Sequence, residues 1–360
     1  LGAIALLSDL VFTGSAKTAV GSPIQGTTRS IAGTTALLPN LYATYSLTPE
    51  LSFGLAVTTP FGTSTAYGTS WSGRYSADKT DLRTLDINPS VAYRVTPWLS
   101  LGAGLSVQQV RAVLSSAINA SSIASAASGL PIMLPDGYLN LHGTSTAVGY
   151  NVGALIEPVS GTRVGLSYRS RVNHVLTGDA TFNMPVPLSA NPRLSDGHIQ
   201  TKLVLPDTAR ISLTQSLGAA WQGYFDIAWT DWSRFKSLNV IRSNGEPLDS
   251  NAENYRNSFS VALGTSWRAT SRLTLRAGTA FDQSPVQDAF RNPRGPDASR
   301  YWLSIGAGYE VLPGTTVDAG YAHVFMPTVE VVSQSPTGDV LRGQFRNSMD
   351  LFGLSVRSAF

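Results

Sequence analysis

Gln344-Phe-Arg-Asn-Ser-Met-Asp-Leu-Phe-Gly-Leu-Ser-Val-Arg-Ser-Ala-Phe360 ends the chain, and its reading decides the fold. Counting back in twos, Phe360, Ser358, Val356, Leu354 and Phe352 form one set. Ala359, Arg357, Ser355, Gly353 and Leu351 form the other. One set is apolar and aromatic-tipped, the other small or polar, which is the period-2 pattern of a strand with two unlike faces. A soluble domain usually ends in frayed, polar residues. The closing strand of a membrane barrel instead carries lipid-facing side chains to the interface, where an aromatic ring sits well. The expected fold is therefore all-β, a transmembrane antiparallel β-barrel whose last strand covers 347–360, with Phe360 at the membrane interface.

Composition agrees. Only 14% of the 360 residues are charged, against about 25% in soluble domains, while mean hydropathy is +0.03. Alternation produces that combination, because half of each strand faces lipid and half a polar lumen. No apolar run approaches the ~18–20 residues of a membrane helix; residues 1–7 come nearest. The absence of cysteine excludes disulfides and thiolate metal sites. The net charge of +3 has no basic run behind it, so no nucleic-acid surface is expected. His142, His174, His198 and His323 lack ligand spacing, and no serine sits in a nucleophile elbow. Gly102-Ala-Gly104 and Gly306-Ala-Gly308 lack the third glycine of a phosphate loop and read as small lumen-facing residues. Neither cofactor nor enzyme is indicated.

Alternation places strands near 2–13, 38–47, 51–57, 81–95, 99–108, 146–157 and 162–180, then 199–215, 221–236, 257–268, 272–283, 300–311, 315–326 and 344–360. That is about fourteen in one domain spanning 1–360. Connections near 49, 97, 160, 218, 270 and 313 are short; those near 25, 70, 130, 190, 245, 292 and 335 are longer. Short periplasmic turns and long extracellular loops are the asymmetry of outer-membrane barrels, and an even strand count puts both termini on the periplasmic side. A soluble sandwich or propeller has no partner sheet here to bury so cleanly apolar an outer face. The third strand meets Thr58-Thr-Pro-Phe-Gly62, where proline removes a ladder donor and glycine weakens pairing, so it bends or breaks there.

Two sets of residues bear on function. Arg169, Arg210 and Arg276 face inward on their strands; each is either a salt-bridged lumen residue or a bidentate partner for an anionic head group. The connections 115–143 and 183–198 carry Ile118, Ile123, Leu130, Ile132, Met133 and Leu134, and Met184, Val186 and Leu188. The start of the first suits a short helix. These apolar residues either pack the loops together or form a groove where an apolar molecule lands.

A series of motifs resembles the FadL-type outer-membrane transporters of long-chain fatty acids and other hydrophobic compounds over nearly the whole chain. It runs Pro39-Asn-Leu-Tyr42, Thr59-Pro-Phe-Gly62, Trp71-Ser-Gly-Arg-Tyr75, Asn88-Pro-Ser-Val-Ala-Tyr93 and Leu99-Ser-Leu-Gly-Ala-Gly104. It continues with Ser167-Tyr-Arg-Ser170, Leu205-Pro-Asp-Thr-Ala-Arg210, Phe281-Asp-Gln-Ser-Pro285, Arg300-Tyr-Trp302 and Asp318-Ala-Gly-Tyr321. The resemblance implies fourteen strands and passive uptake. A hydrophobic molecule, a fatty acid or an aromatic hydrocarbon, is captured between the two apolar loops. It then passes to a lumen pocket and leaves sideways at Thr58, Thr59, Pro60, Phe61 and Gly62. The family's N-terminal hatch has no counterpart in this chain, whose Leu1 already reads as first-strand sequence. The expected surroundings are outer-membrane lipid and lipopolysaccharide around a monomer. The rival functions are a general diffusion porin and an outer-membrane lipid hydrolase.

Overall fold

The computed structural model describes residues 1–359, so Phe360 lies outside the described residues. Fourteen strands form one closed antiparallel barrel. They are β1 (Gly2–Lys17), β2 (Arg29–Ile31 and Thr35–Ser46), β3 (Leu51–Thr58 and Gly62–Ala66), β4 (Lys79–Thr96) and β5 (Leu99–Ile118). After a helix, α1 (Ala120–Ser128), come β6 (Gly137–Val159), β7 (Thr162–Arg169 and Val172–Asn183), β8 (Gly197–Leu205 and Thr208–Leu217) and β9 (Trp221–Thr230 and Ser237–Arg242). The wall finishes with β10 (Pro247–Ala252 and Ser258–Arg268), β11 (Leu273–Asp282), β12 (Arg300–Leu312), β13 (Thr315–Phe325 and Val329–Gln334) and β14 (Val340–Ser358). β1 closes the ring by pairing along its whole length with β14, from Gly2 opposite Ser355 to Lys17 opposite Val340. Closure pairs the first and last strands, so neither leaves a free edge in lipid, where unpaired backbone groups are costly.

The alternation sorts side chains between lipid and lumen. On β12, Tyr301, Leu303, Ile305 and Tyr309 are exposed on the outer wall, Ile305 at 65%. On β14, Phe352, Leu354 and Val356 point out, while Leu341, Phe345 and Asn347 are buried in the lumen. One departure from an apolar outer face is Asp350, set among these residues. Its carboxylate accepts from Tyr321 Oη and meets His323 Nδ1, both at 2.7 Å. Those bonds offset much of the cost of a lipid-side carboxylate.

The ladders run further than the expected strands. β5 and β6 stay paired from Leu99 opposite Ile156 up to Ile118 opposite Gly137, so the connection expected at 115–143 shrinks to 119–136. Above the lipid nothing imposes an apolar face; residues such as Ser115, Ser116 and Asn140 are held by main-chain bonds, and their side chains do not advertise the strand. The helix expected in this loop is α1, capped by Asn119 Oδ1, which accepts from Ser122 N–H at 3.0 Å.

The upper lumen is filled by two inward-turned connections. Between β3 and β4, Trp71 is fully buried, stacked on Tyr67 at 4.1 Å between centroids and edge-on to Phe12 at 5.2 Å. Between β11 and β12, Val286, Arg291 and Ala298 are buried. This second segment is tied down where Tyr67 Oη donates to Pro293 O and Asn347 Nδ2 to Pro296 O, each at 2.7 Å.

Candidate functional site

The wall is open between β2 and β3. These strands pair from Ser46 opposite Ser52 up to Leu41 opposite Val57, and no ladder joins residues 35–40 to 58–63 among the described residues. Contact resumes higher, where Ala66 N–H donates to Ala32 O at 3.1 Å. The cause lies in the count on β3's other side. Thr58 pairs with Asp86 and Gly62 with Arg83, so Thr59, Pro60 and Phe61 oppose only Leu85 and Thr84. One extra residue, with a proline that cannot donate, makes a bulge that swings β3 off β2. Thr84 pins it: its Oγ1 donates to Phe61 O at 2.6 Å and accepts from Phe61 N–H at 2.9 Å. Sequence reasoning missed Thr84, because a lone threonine in a strand carries no signal of its own.

Inside the gap lies a cavity of about 1340 Å³. Thr59 to Thr65 bound it on one side of the gap and Thr34 to Leu38 on the other. Its apolar lining includes Phe61, Leu176, Leu203, Trp232 and Phe235. Phe61 packs edge-on against Trp232 at 5.8 Å, which orients the kink towards the lumen.

Arg169 and Arg210 both line this cavity, and each already has a carboxylate partner. Arg169 Nη1 lies 3.1 Å from Asp86 Oδ2 and Arg210 Nη1 3.3 Å from Asp226 Oδ1. Serine hydroxyls fix both acids: Ser106 Oγ donates to Asp86 Oδ1 and Ser212 Oγ to Asp226 Oδ2, at 2.6 Å each. Arg276 pairs with Asp318 at 2.7 Å and lies away from the cavity. An incoming anion has to compete with these fixed acids for each of the three.

A second cavity of about 480 Å³ lies towards the loops, lined by Ile118, Ile123, Leu139, Phe182, Arg193, Leu194 and Leu248. The structure thus brings Ile118 at the top of β5 and Ile123 on α1 to Arg193 and Leu194 of the other connection. The remaining expected groove residues go elsewhere. Ile132 and Leu134 are half-buried on a strap that hydrogen-bonds along α1, Ile132 N–H to Ser125 Oγ and Leu134 N–H to Ser121 Oγ, each at 2.9 Å. Met184 covers Gly137, and Leu188 is buried in its own loop. Leu130, Met133 and Val186 project into solvent, 66%, 90% and 79% exposed.

Arg294 lines both cavities, and nothing in the sequence pointed to it. It rides on the inward-turned β11–β12 connection, and its guanidinium donates to Ser115 O at 3.3 Å. No carboxylate lies within 4.0 Å of it among the described residues, unlike Arg169 and Arg210. Burial pulls its guanidinium below the ordinary value, while Asp249 and Glu253 act at longer range in the other direction. Glu253 lines the large cavity just above the spanning piece Ser258–Arg268. Burial pushes its carboxyl up to about 7, against the opposing hydrogen bond from Asn292 Nδ2 at 3.0 Å.

The family model described as outer membrane protein transport protein (OMPP1/FadL/TodX) matches residues 1–360. The long-chain fatty acid transport protein of Salmonella typhi is 28% identical over 313 residues, 82% of this chain and 72% of that protein. Outer membrane protein P1 of Haemophilus influenzae is 29% identical over 322 residues, 84% of this chain and 69% of its own. Among solved structures, a Pseudomonas aeruginosa FadL homologue superposes with a TM-score of 0.92 at 24% identity, covering 99% of this chain and 89% of that one. The Pseudomonas putida toluene transporter TodX gives 0.70 at 18%, covering 99% and 90%. Both structural likenesses concern the fold.

Proposed function

Because the chain belongs to the OMPP1/FadL/TodX family of outer-membrane transport proteins, we propose that it passively takes up a long-chain carboxylate. The molecule lands in the upper cavity between α1 and the 184–196 loop and crosses the partition at Arg294. It then fills the large cavity and leaves sideways between β2 and β3. The observation that carries this reading is the boundary of the large cavity, which reaches both lips of the wall gap, Leu37 and Leu38 on β2 and Thr59 to Gly62 on β3.

The physics needs no energy source. An alkyl chain gains about 0.8 kcal/mol for each CH₂ that leaves water, so groove, cavity and bilayer are successive apolar stops. The head group is the costly part, since a carboxylate in an apolar channel needs a partner. Arg294 supplies one at the place both cavities share, with bidentate geometry available to it. Arg169 and Arg210 exchange partners only at the expense of Asp86 and Asp226. Relatives named for long-chain fatty acids and for toluene bracket the choice of cargo; the unpaired guanidinium favours the acid.

Binding of a labelled long-chain fatty acid and of toluene to the full chain, with and without Arg294→Gln, tests this. The expected result is at least tenfold weaker acid binding with toluene unchanged. Equal loss for both ligands, or loss on Arg169→Gln and Arg210→Gln alone, contradicts it.

A further inference from the structure

The outer wall changes character at the seam where β1 and β14 close the barrel. Going up β14, the outward-facing series reads Val356, Leu354 and Phe352, then Asp350 and Ser348, and finally Arg346, Gln344 and Arg342. β1 follows the same course, from Leu1 and Leu7 to Thr13, Ser15 and Lys17, and the upper piece of β2 adds Arg29 opposite Thr13. Lys17, Arg29, Arg342 and Arg346 are all exposed, and none is in an ion pair among the described residues. Arg83, on the far side of the wall gap, differs in being held by both oxygens of Asp81 at 2.8 and 3.1 Å. The acids on the seam's outer face near the four cations are Asp9, opposite Ser348, and Glu330, opposite Gln344.

Height gives these cations their meaning. A strand rising about 3.4 Å per residue at a tilt of about 40° climbs roughly 2.6 Å per residue along the membrane normal. Arg346 is ten residues above Val356, hence about 26 Å higher, at the upper edge of an apolar band about 25 Å tall. Arg342 stands about 10 Å above that, and Arg29 two strands, or about 10 Å, to the side. Unpaired guanidinium groups at that level, above an apolar wall, face the head groups of the outer leaflet.

We propose that Lys17, Arg29, Arg342 and Arg346 form a docking site for a phosphorylated glycolipid of the outer leaflet, its phosphates on the cations and its acyl chains on the wall below. Arginine binds phosphate bidentately and lysine adds a point charge. The apolar residues beneath, Phe352, Leu354 and Leu7, suit the tails of the same molecule, and so pick a lipid over a free anion. The site reaches the strand that borders the wall gap, because Arg29 is on the upper piece of β2 and the lower piece of β2 forms one lip of that gap. A lipid held there fixes the leaflet beside the opening. None of this depends on which cargo passes through.

Titrating the purified full chain in neutral detergent with lipid A bearing two phosphates, followed by native mass spectrometry, provides the test. Each cation at an anionic lipid surface contributes about a fivefold change in affinity. The triple variant Arg29→Gln/Arg342→Gln/Arg346→Gln is therefore expected to bind about a hundredfold more weakly, with its heat-unfolding transition unchanged. The charge-matched periplasmic variant Arg163→Gln/Arg268→Gln/Arg272→Gln is expected to bind as the parent does, and dephosphorylated lipid A to bind neither protein measurably. If the triple variant does not fold, the single variants Arg342→Gln and Arg346→Gln are each expected to show the fivefold loss. The proposal is overturned if the triple or single variants bind like the parent, if dephosphorylated lipid binds equally well, or if inorganic phosphate alone competes at the lipid's own concentration.

Discussion

Replacing Ile305 with arginine puts a charge at the middle of the outer wall, and its cost is set by depth. Tyr301 and Tyr309 mark the two ends of the outward series on β12, eight residues apart. At roughly 2.6 Å of height per residue they stand about 21 Å apart, close to the spacing of the aromatic girdles around the apolar band. Ile305 lies midway and is 65% exposed to the lipid side. Arginine there is expected to cost about 2–4 kcal/mol, whereas Tyr309→Arg, about 10 Å lower at the interface, costs about 0–1 kcal/mol. Leu354→Arg on β14, 60% exposed and level with Ala307 through Ala319, is expected to fall between them. Reversible denaturant unfolding of the barrel in lipid vesicles measures the differences. A flat profile, with Ile305→Arg no costlier than Tyr309→Arg, refutes the assignment of this face to lipid and the depth scale built on it.

The carboxyl of Glu253, raised to about 7 by burial, makes stability fall as pH rises. The folded chain holds this proton more tightly than the unfolded one, so its contribution is complete below about pH 4.5. It is lost between there and pH 7, on the order of 3 kcal/mol in all. Unfolding midpoints measured across that window are expected to drop in the parent and stay level in Glu253→Gln. On the lipid face, Tyr321→Phe with His323→Ala strips both partners from Asp350. That double change is expected to destabilise by about 1–3 kcal/mol, while adding Asp350→Leu restores stability, as read by the same denaturant titration.

Much of the architecture was legible because lipid enforces alternation. Wherever a strand crosses the band, one face has to be apolar, and runs such as Leu99 to Val107 or Tyr301 to Tyr309 say so directly. Above the band that constraint ends. The upper halves of β5 and β6 lose the apolar outer face, with Arg111 and Thr144 exposed while Val110, Leu114 and Leu141 pack on the lumen side, and they read as loop, although their ladder continues to Ile118 and Gly137. The kink was legible for the converse reason, since Pro60 removes a donor wherever it sits. Its clamp was not, because only the register reveals that Thr84 faces Phe61 with one residue too few beside it. The two loops were recognisable as apolar. Which of their side chains line the upper cavity depends on the strap folding back on α1, a tertiary choice that takes Ile132 and Leu134 away and leaves Ile118 and Ile123. Arg294 lay in a connection that composition marks as an ordinary polar loop. Its inward turn depends on Tyr67 and Asn347, distant in sequence.

Deleting Pro60 tests the lateral route most directly. The deletion leaves two residues opposite Leu85 and Thr84, so β3 can pair with β4 without a bulge and has no reason to leave β2. Uptake of labelled long-chain fatty acid by cells, alongside binding to the purified barrel, is the measurement. Uptake is expected at background, with binding retained and the barrel folded. Unchanged uptake through a straightened β3 would contradict the lateral route.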